Sequence, residues 1–425
     1  KHRPNGSDPE ESPGRWARFL ASDWSDYTAA FLAGIAIYSK PPNVAVLGPL
    51  VLFYILKKRV FKPIVILLVC ALSLGIFAGY NILETGHWNY QGGERKAFNG
   101  RRGFPLEKSH LTFDTAGGTA MSTEGYTEQH LLPVKCVFYN IYYYFTGRYT
   151  GITWYFFPAV LFLMIFFIRK KQLYQWLLLI AIFGEILIWI IMMPDNYAGG
   201  GGGLANRYFL SIYPFFFFLP GLKRSPKELA ACWVMAALFI SPILINPFFH
   251  SHYPATHAKK APYTWLPLEM TLNNNWPINT NTWAFRQSVR TSREDNWLTF
   301  LDDNFHPRFR ELNEDGFWTR GPHKADMVLK TYYPIREIVI RLLNNPRRSN
   351  EITVKVGGEK KKITLGDKQW GTLRFTPDPL VIESWHLVRI SIKASKGAFP
   401  YLEEEDSEER RYLGVYFEMD IIPEE

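Results

Sequence analysis

Apolar residues are distributed unevenly along this chain. Long apolar runs crowd the stretch before Phe249, and the chain beyond it is mostly polar. "PIVILLVCALSLGIFAGYNIL" fills 63–83, "GITWYFFPAVLFLMIFFI" fills 151–168 and "QLYQWLLLIAIFGEILIWIIMM" fills 172–193. Two further runs occupy 208–222 and 229–249, and a shorter pair, 27–39 and 43–56, is broken by "KPP" at 40–42. A helix that crosses a bilayer needs roughly 20 mostly apolar residues. The pattern predicts a polytopic α-helical membrane domain of about seven spans over residues 1–249.

From about Gly316 the period changes to two. "ADMVLK", "IREIVIRLL", "EITVKVG", "KKITLG", "GTLRF", "HLVRISIKA" and "YLGVYFEMDI" alternate as short strands, with turn signals between them. Gly357–Gly358 and Gly366–Asp367 suit hairpin turns. These features predict an all-β sandwich, jelly-roll-like, over residues 316–425. Residues 250–315, rich in Pro, Asn and Trp, read as a linker.

Basic clusters set the expected orientation. "KKRVFK" at 57–62, "RKK" at 169–171 and "KRSPK" at 223–227 close apolar runs and read as cytoplasmic turns. Alternation then places four segments outside: the Lys40 turn, the loop 84–150, the Gly-rich loop 194–207 and everything after 249. The sandwich is thus expected to be extracytoplasmic. The aromatic-rich piece "YTEQHLLPVKCVFYNIYYYFTGRY" in the long loop is expected as an amphipathic helix lying at the interface.

Composition adds little that conflicts. The chain has 425 residues, 47% hydrophobic and 16% aromatic, with a net charge of +9. Topology accounts for the basic clusters, so nucleic acid is not an expected partner. Cys70, Cys136 and Cys232 have neither metal-ligand spacing nor a paired framework, and read as small buried hydrophobes. His250, His252 and His257 cluster without nearby carboxylates, so no metal site is expected. "YLEEEDSEERRY" near the C-terminus reads as a solvated loop.

The chemistry centres on "NYAGGGGGLANRYF", residues 196–209. Gly199, Gly200, Gly201, Gly202 and Gly203 let backbone amides approach a ligand closely. With the helix start expected near Asn206, such amides form an anion-binding concavity, and Arg207 adds a fixed bidentate cation. This reads as a donor-phosphate site, with Lys40 across the membrane rim as a further cation. The alternative is a pliant hairpin whose Arg207 snorkels to lipid headgroups, with Lys40 as an ordinary interfacial lysine. Glu185, inside an apolar run, is either a sugar-site or proton-handling acid or a partner in an interhelical hydrogen bond. Asp195 orients Arg207, contacts sugar hydroxyls or caps a helix end. Glu84 and Glu94 are weaker catalytic candidates in the long loop. With Arg95, Glu107 and Asp114 they are either acceptor-site groups or solvated loop residues, and His87 and Trp88 either stack on or bond a sugar or are likewise solvated.

"FLAGIAIYSKPPNVAVLGPLVLFYILKKR", "AGYNILETGHWNYQGG" and "NYAGGGGGLANRYFLSIYP" resemble the later membrane segments of bacterial GT-C superfamily glycosyltransferases, protein-mannosyltransferase-like and lipopolysaccharide-sugar-transferase-like. That resemblance covers about residues 22–249. It implies a sugar donor on a polyprenyl-phosphate carrier and an envelope glycan, lipid or protein acceptor. It also implies a site on the outer face of the bacterial cytoplasmic membrane, among membrane lipids and with room for other membrane subunits. The family's general base lies in a first external loop upstream of the Lys-Pro segment. The chain opens just before that segment, so the resemblance implies further sequence upstream, a separate catalytic chain, or loss of the catalytic part. Related enzymes include metal users, but this sequence offers no ligand set and no certain cofactor. The sandwich resembles carbohydrate-binding jelly-roll modules in strand rhythm from "GFWTRGPHKADMVLK" onward. In it Phe317, Trp318 and Trp385 either stack on sugars or fill the core. The competing expectation is non-enzymatic: an envelope scaffold or accessory subunit with a membrane anchor and an external binding sandwich.

Overall fold

The apolar runs fold as helices of unequal length. α1 (Asp23–Ser39), α2 (Leu47–Leu56) and α3 (Phe61–Thr85) come first. α4 (Val134–Thr146), α5 (Phe157–Ile168), α6 (Leu173–Met192) and α7 (Pro226–Ile245) come after them. The structure, a computed structural model, describes residues 15–88, 97–98, 120–121, 134–194, 196–199, 204–221, 225–252, 258–259, 261–272, 276, 288–290, 296–306, 316–331, 333–344, 348–382, 385–404 and 407–424.

The polytopic domain of about seven spans does not form. Among the described residues, α3 and α6 are the helices long and apolar enough to cross a membrane. At 1.5 Å per residue their 25 and 20 residues reach about 37 and 30 Å, against a hydrocarbon core of about 30 Å. The 12 residues of α5 reach only about 18 Å. The run 43–56 is shortened because Pro41 and Pro42 open it as a 3-10 turn, Pro41–Val46. The run 208–222 breaks into the 3-10 turn Tyr208–Ser211 and the single turn Tyr213–Phe216, interrupted by Pro214 and ended by Pro220 and the left-handed Gly221. The expected architecture reduces to a helical region with two span-length helices, followed by β-sheet.

Small residues and end charges fix the helix contacts. A side chain at Gly34 would put its Cβ 2.4 Å from the Cys70 carbonyl, so α1 and α3 approach closely there. Ser73 Oγ, fully buried, donates to Phe31 O across the same contact at 2.7 Å. At one end of the pair Lys62 donates to Asp23 at 2.6 Å and also pairs with Asp26. Arg169, at the end of α5, pairs with Glu228 in the first turn of α7. Ser225 and Glu228 complete a reciprocal cap on that turn.

The two-residue strands β1 (Ala97–Phe98) and β2 (Ala120–Met121) pair within the long loop. The sandwich uses β3 (Ser288–Arg290), β4 (Asn296–Phe300), β5 (Phe305–His306), β6 (Gly316–Arg320), β7 (Lys324–Thr331), β8 (Ile335–Asn344) and β9 (Asn350–Val356). It continues with β10 (Glu359–Leu365), β11 (Trp370–Phe375), β12 (Leu380–Ile382), β13 (Trp385–Ala394) and β14 (Leu413–Pro423). A seven-stranded sheet runs β10-β9-β13-β7-β4-β3 with β12 on β13, and a five-stranded sheet runs β11-β8-β14-β6-β5. Every pairing among these described strands is antiparallel. The expected β-sandwich is therefore present. The segment read as a linker contributes three of its strands, β3 to β5.

Alternation buries one face of the seven-stranded sheet in the sandwich and, around β7, β12 and β13, part of the other face as well. Met327 and Leu329 of β7 point inward to the sandwich core, with Phe317, Ile340, Val354, Ile390 and Phe417. Val328 points the other way, and with Leu301, Ile382 and Leu387 it joins a second core built from Tyr144, Tyr149, Ile182, Ile186 and Phe209 of the helical part. The sandwich is thus seated on the helices through one sheet.

Glu269 holds that seat together. Its side chain is fully buried, and Oε1 accepts from the backbone N–H groups of Tyr149 and Thr150, each at 2.8 Å, and from Thr150 Oγ1 at 3.0 Å. Arg148, beside it, donates Nε to Ala258 O at 2.8 Å and its backbone N–H to Pro267 O at 2.9 Å. Gly147 makes room: an added Cβ would lie 2.3 Å from Glu269 Oε1 and 2.5 Å from Tyr143 O. Glu269→Ala would strand two buried N–H donors, at about 1–3 kcal/mol each. Both Glu269→Ala and Gly147→Ala should lower the thermal unfolding midpoint of the detergent-solubilised chain by several degrees. An unchanged midpoint in both variants would remove the carboxylate from this role.

Candidate functional site

The end of α6 and the turns after the Gly-rich loop bring several expected residues together. Gly199 is left-handed, with φ +88°, and an added Cβ there would meet Arg207 Nε at 3.0 Å and Tyr208 at 3.3 Å. The glycine therefore seats the arginine stem. Arg207 N–H donates to Ala198 O at 2.9 Å, closing the loop beneath it. Asn206 is fully buried, and its Oδ1 caps the 3-10 turn after it by accepting from Phe209 N–H at 3.0 Å. The expected helix start near Asn206 is thus a capped 3-10 turn, too short to carry a helix dipole.

Lys40 and Arg207 converge on one ring. Lys40 Nζ and the Arg207 guanidinium each lie 5.7 Å from the centre of Tyr208, and the Tyr208 ring stacks on Trp189 at 3.8 Å. Lys40 Nζ also donates to Ser211 Oγ at 3.1 Å. Burial first, then the Arg207 charge, holds the Lys40 ammonium below the ordinary lysine range, while Glu185 opposes them. Arg207 itself is exposed. Glu185 lies one helical turn before Trp189 on α6 and is 1% exposed, with neither carboxylate oxygen closing a hydrogen bond. The Trp189 indole and the Lys40 ammonium are near enough to act on it. Two cations, two stacked rings and a buried carboxylate thus share one corner of the helical part.

The other expected residues lie elsewhere. Glu84 is exposed at the end of α3, with no role that the fold defines. Asp195, Glu94 and Gly200 to Gly203 lie outside the described residues, as do Arg95, Glu107, Asp114 and His257. The aromatic helix expected at the interface is α4, and it buries Cys136, Asn140, Tyr143 and Tyr144 in the protein core. Within the sandwich Phe317 is core, Trp318 on the next position faces outward, and Trp385 lies 3.6 Å beneath the Lys330 ammonium.

A polar cluster at the junction went unforeseen. Asp326 of β7 accepts from Ser391, from Lys324 at 3.0 Å and from Arg389 at 3.2 Å. Asp302, 6% exposed, accepts from Asn304 N–H at 2.9 Å and Asp326 N–H at 2.8 Å. One sequence signal pointed toward this junction: Glu269 is an isolated carboxylate in the apolar "LPLEMTL", and "TGRYTG" places two glycines around an arginine.

No family model matches the chain, and no curated protein matches it. Among solved structures, it is similar to a CBM4 structure at 14% identity, over 27% of this chain and 74% of that one, with a TM-score of 0.17. TmCBM61 in complex with β-1,4-galactotriose matches at 12% identity over 26% and 69%, with a TM-score of 0.15. BtGH115A, a 4-O-methyl-α-glucuronidase with specificity for decorated arabinogalactans, matches at 9% identity over 58% and 31%, with a TM-score of 0.17. Likenesses at such TM-scores carry no argument about this chain's activity.

Asp302 gives the junction a pH dependence. Burial raises its carboxyl to about 6, against its backbone hydrogen bonds and the Arg148 charge, with Asp326 adding to the rise. A carboxyl raised above its unfolded value stabilises fully below that value, near 3.8, and loses the contribution as pH rises through about 6. The difference corresponds to roughly 3 kcal/mol. Asp326 behaves oppositely. Burial pushes it up, but Arg389, Ser391 and Lys324 outweigh burial and hold it low, so its contribution is lost as pH falls below 3.8. Denaturant unfolding from pH 4.5 to 7 should show a falling component in the wild type that Asp302→Asn flattens. Identical slopes in the two proteins would contradict the assignment.

Proposed function

We propose that this protein is a membrane-held scaffold that presents its β-sandwich outside the cytoplasmic membrane as a binding module for envelope carbohydrate. The observation that carries this reading is the seat itself. The seven-stranded sheet is buried on the helices through Val328, Ile382 and Leu387, which leaves the outer face of the five-stranded sheet on the far side. A lipid setting is supported by apolar helix surface that the protein does not cover. On α3, Leu68 and Leu72 are both more than half exposed, and on α7 Trp233 is 74% exposed. Contiguous surface of this kind marks a membrane or protein contact. Ring side chains among charged ones on a solvent-facing sheet suit sugars, which present apolar C–H faces rimmed by hydroxyls. Residues 1–249 would be the membrane part, and 316–425 the body of the module.

A second reading keeps the polyprenyl-phosphate donor, and the convergence of Lys40 and Arg207 on Tyr208 favours it. Two cations beside Gly199 suit the anionic phosphodiester that joins a carrier lipid to its sugar, with Glu185 as the acid that would meet the sugar hydroxyls. In this reading the corner holds a carrier lipid, and any transfer chemistry needs a base from outside the described residues.

The two readings separate experimentally. Under the scaffold reading the intact chain stays in the membrane fraction through alkaline carbonate, and Leu68→Arg with Leu72→Arg releases it, since each mid-membrane arginine costs about 3 kcal/mol. A wild-type chain that washes off removes the membrane anchor. Under the carrier reading, undecaprenyl phosphate binds the detergent-solubilised chain, and Arg207→Ala or Lys40→Gln weakens binding about tenfold, or 1.4 kcal/mol. Equal binding by wild type and both variants removes the phosphate site.

A further inference from the structure

The strand register lines up rings across the free sheet. Trp370 of β11 pairs with Leu343 of β8, Leu343 pairs with Tyr416 of β14, and Tyr416 pairs with Trp318 of β6. Directly opposed residues share a face. The neighbouring positions Leu342, Phe417 and Phe317 fill the sandwich core, so Trp370, Leu343, Tyr416 and Trp318 face outward. They form one row across four strands.

The row is built as a platform. Trp318 contacts the Tyr416 ring at 5.2 Å between centres, and Trp370 meets the same ring edge-on at 6.1 Å. Tyr416 is 7% exposed and lies over Gly316, where an added Cβ would come within 2.5 Å of the ring. It thus props the two indoles on either side. Trp370 is 50% exposed on the edge strand, so the row opens laterally to solvent. Three strand spacings put the backbones of Trp370 and Trp318 about 14 Å apart, a reach that takes several sugar rings rather than one.

The next rows supply polar groups. Arg341 pairs with Glu418 at 2.9 Å and Asp420 at 3.5 Å, and Arg374 pairs with Glu337 at 2.9 Å. Carboxylates and guanidiniums nearly balance on this face. A balanced face offers hydrogen bonds to hydroxyls without attracting a polyanion.

We propose that this face binds a neutral, linear polysaccharide of pyranose sugars laid across the strands. Trp370 and Trp318 stack on sugar rings, and Arg341, Glu418 and Asp420 bond to hydroxyls. The inference rests on the carbohydrate reading above and names its site. Aromatic faces stack on the C–H faces of pyranoses, and paired carboxylate and guanidinium groups match vicinal hydroxyls.

The test uses the full chain in detergent and affinity electrophoresis in gels containing β-1,4-galactan, mixed-linkage β-glucan, hydroxyethylcellulose or polygalacturonate. At least one neutral polymer should retard the wild type. Trp370→Ala and Trp318→Ala should each weaken that retardation at least tenfold, and Arg341→Gln about threefold. Trp265→Ala, which removes an 81% exposed ring away from this sheet, should leave it unchanged. The tryptophan variants are checked for an unaltered thermal midpoint, so lost binding is not lost folding. Wild-type binding that both tryptophan variants retain overturns the platform and leaves the carbohydrate reading standing. Preference for polygalacturonate overturns the neutral-glycan assignment. No retardation by any polymer overturns the carbohydrate reading itself.

Discussion

The buried carboxylate of Glu269 is the constraint on which the arrangement depends. It clasps the backbone of Tyr149 and Thr150, just past the aromatic helix α4, from a segment that leads into the first sandwich strands. A carboxyl taken out of water is tolerable only when hydrogen bonds replace its hydration, and burial pushes that of Glu269 above the usual carboxylate range. Here two N–H groups and a hydroxyl do so at one oxygen. Arg148 lies beside it, and Trp276 donates its indole N–H to the Glu269 carbonyl at 2.7 Å. The chain is thereby bound back on itself across about 120 residues, and the seven-stranded sheet is delivered onto the helices.

Once the sandwich is seated, the two sheets take different work. One sheet meets the core between the sheets on one face and, around β7, β12 and β13, the core shared with the helices on the other, while β9 and β10 keep their outer side chains exposed. The other faces the core on one side and solvent on the other, and carries rings and matched charges there. The helices expose apolar side chains along α3 and α7 and, at one corner, hold a pair of cations around Tyr208. The seat and the outward-facing sheet both arise from one alternation pattern and one buried acid.

Much of the sandwich was legible in the sequence, because strand alternation is a short-range signal that survives without partners. "ADMVLK", "EITVKVG" and "HLVRISIKA" became β7, β9 and β13, and the Gly357 turn joins β9 to β10. The helical half was misread where apolar content was taken for span length. Pro42, Pro214 and Gly221 break runs whose composition alone suits a membrane, and α4 spends its aromatic residues on the protein core. The corner of Lys40, Arg207 and Tyr208 was partly legible, since a fixed cation after glycines is a local pattern. Its stacking on Trp189 and its proximity to Glu185 are long-range and leave no local trace. The Trp370 row escaped for the same reason: register between β11, β8, β14 and β6 is not written in any one strand.

Two positions test most directly the proposal that the chain meets lipid on one side and water on the other. Spin labels at Leu68→Cys and Thr372→Cys, in the full chain reconstituted into lipid nanodiscs, sense this through collisions with oxygen and with a water-soluble nickel chelate. An anchored chain with an outward-facing sheet predicts strong oxygen and weak nickel relaxation at position 68, and the reverse at position 372. A water-accessible label at 68, or a label at 372 shielded from the chelate, would contradict that arrangement.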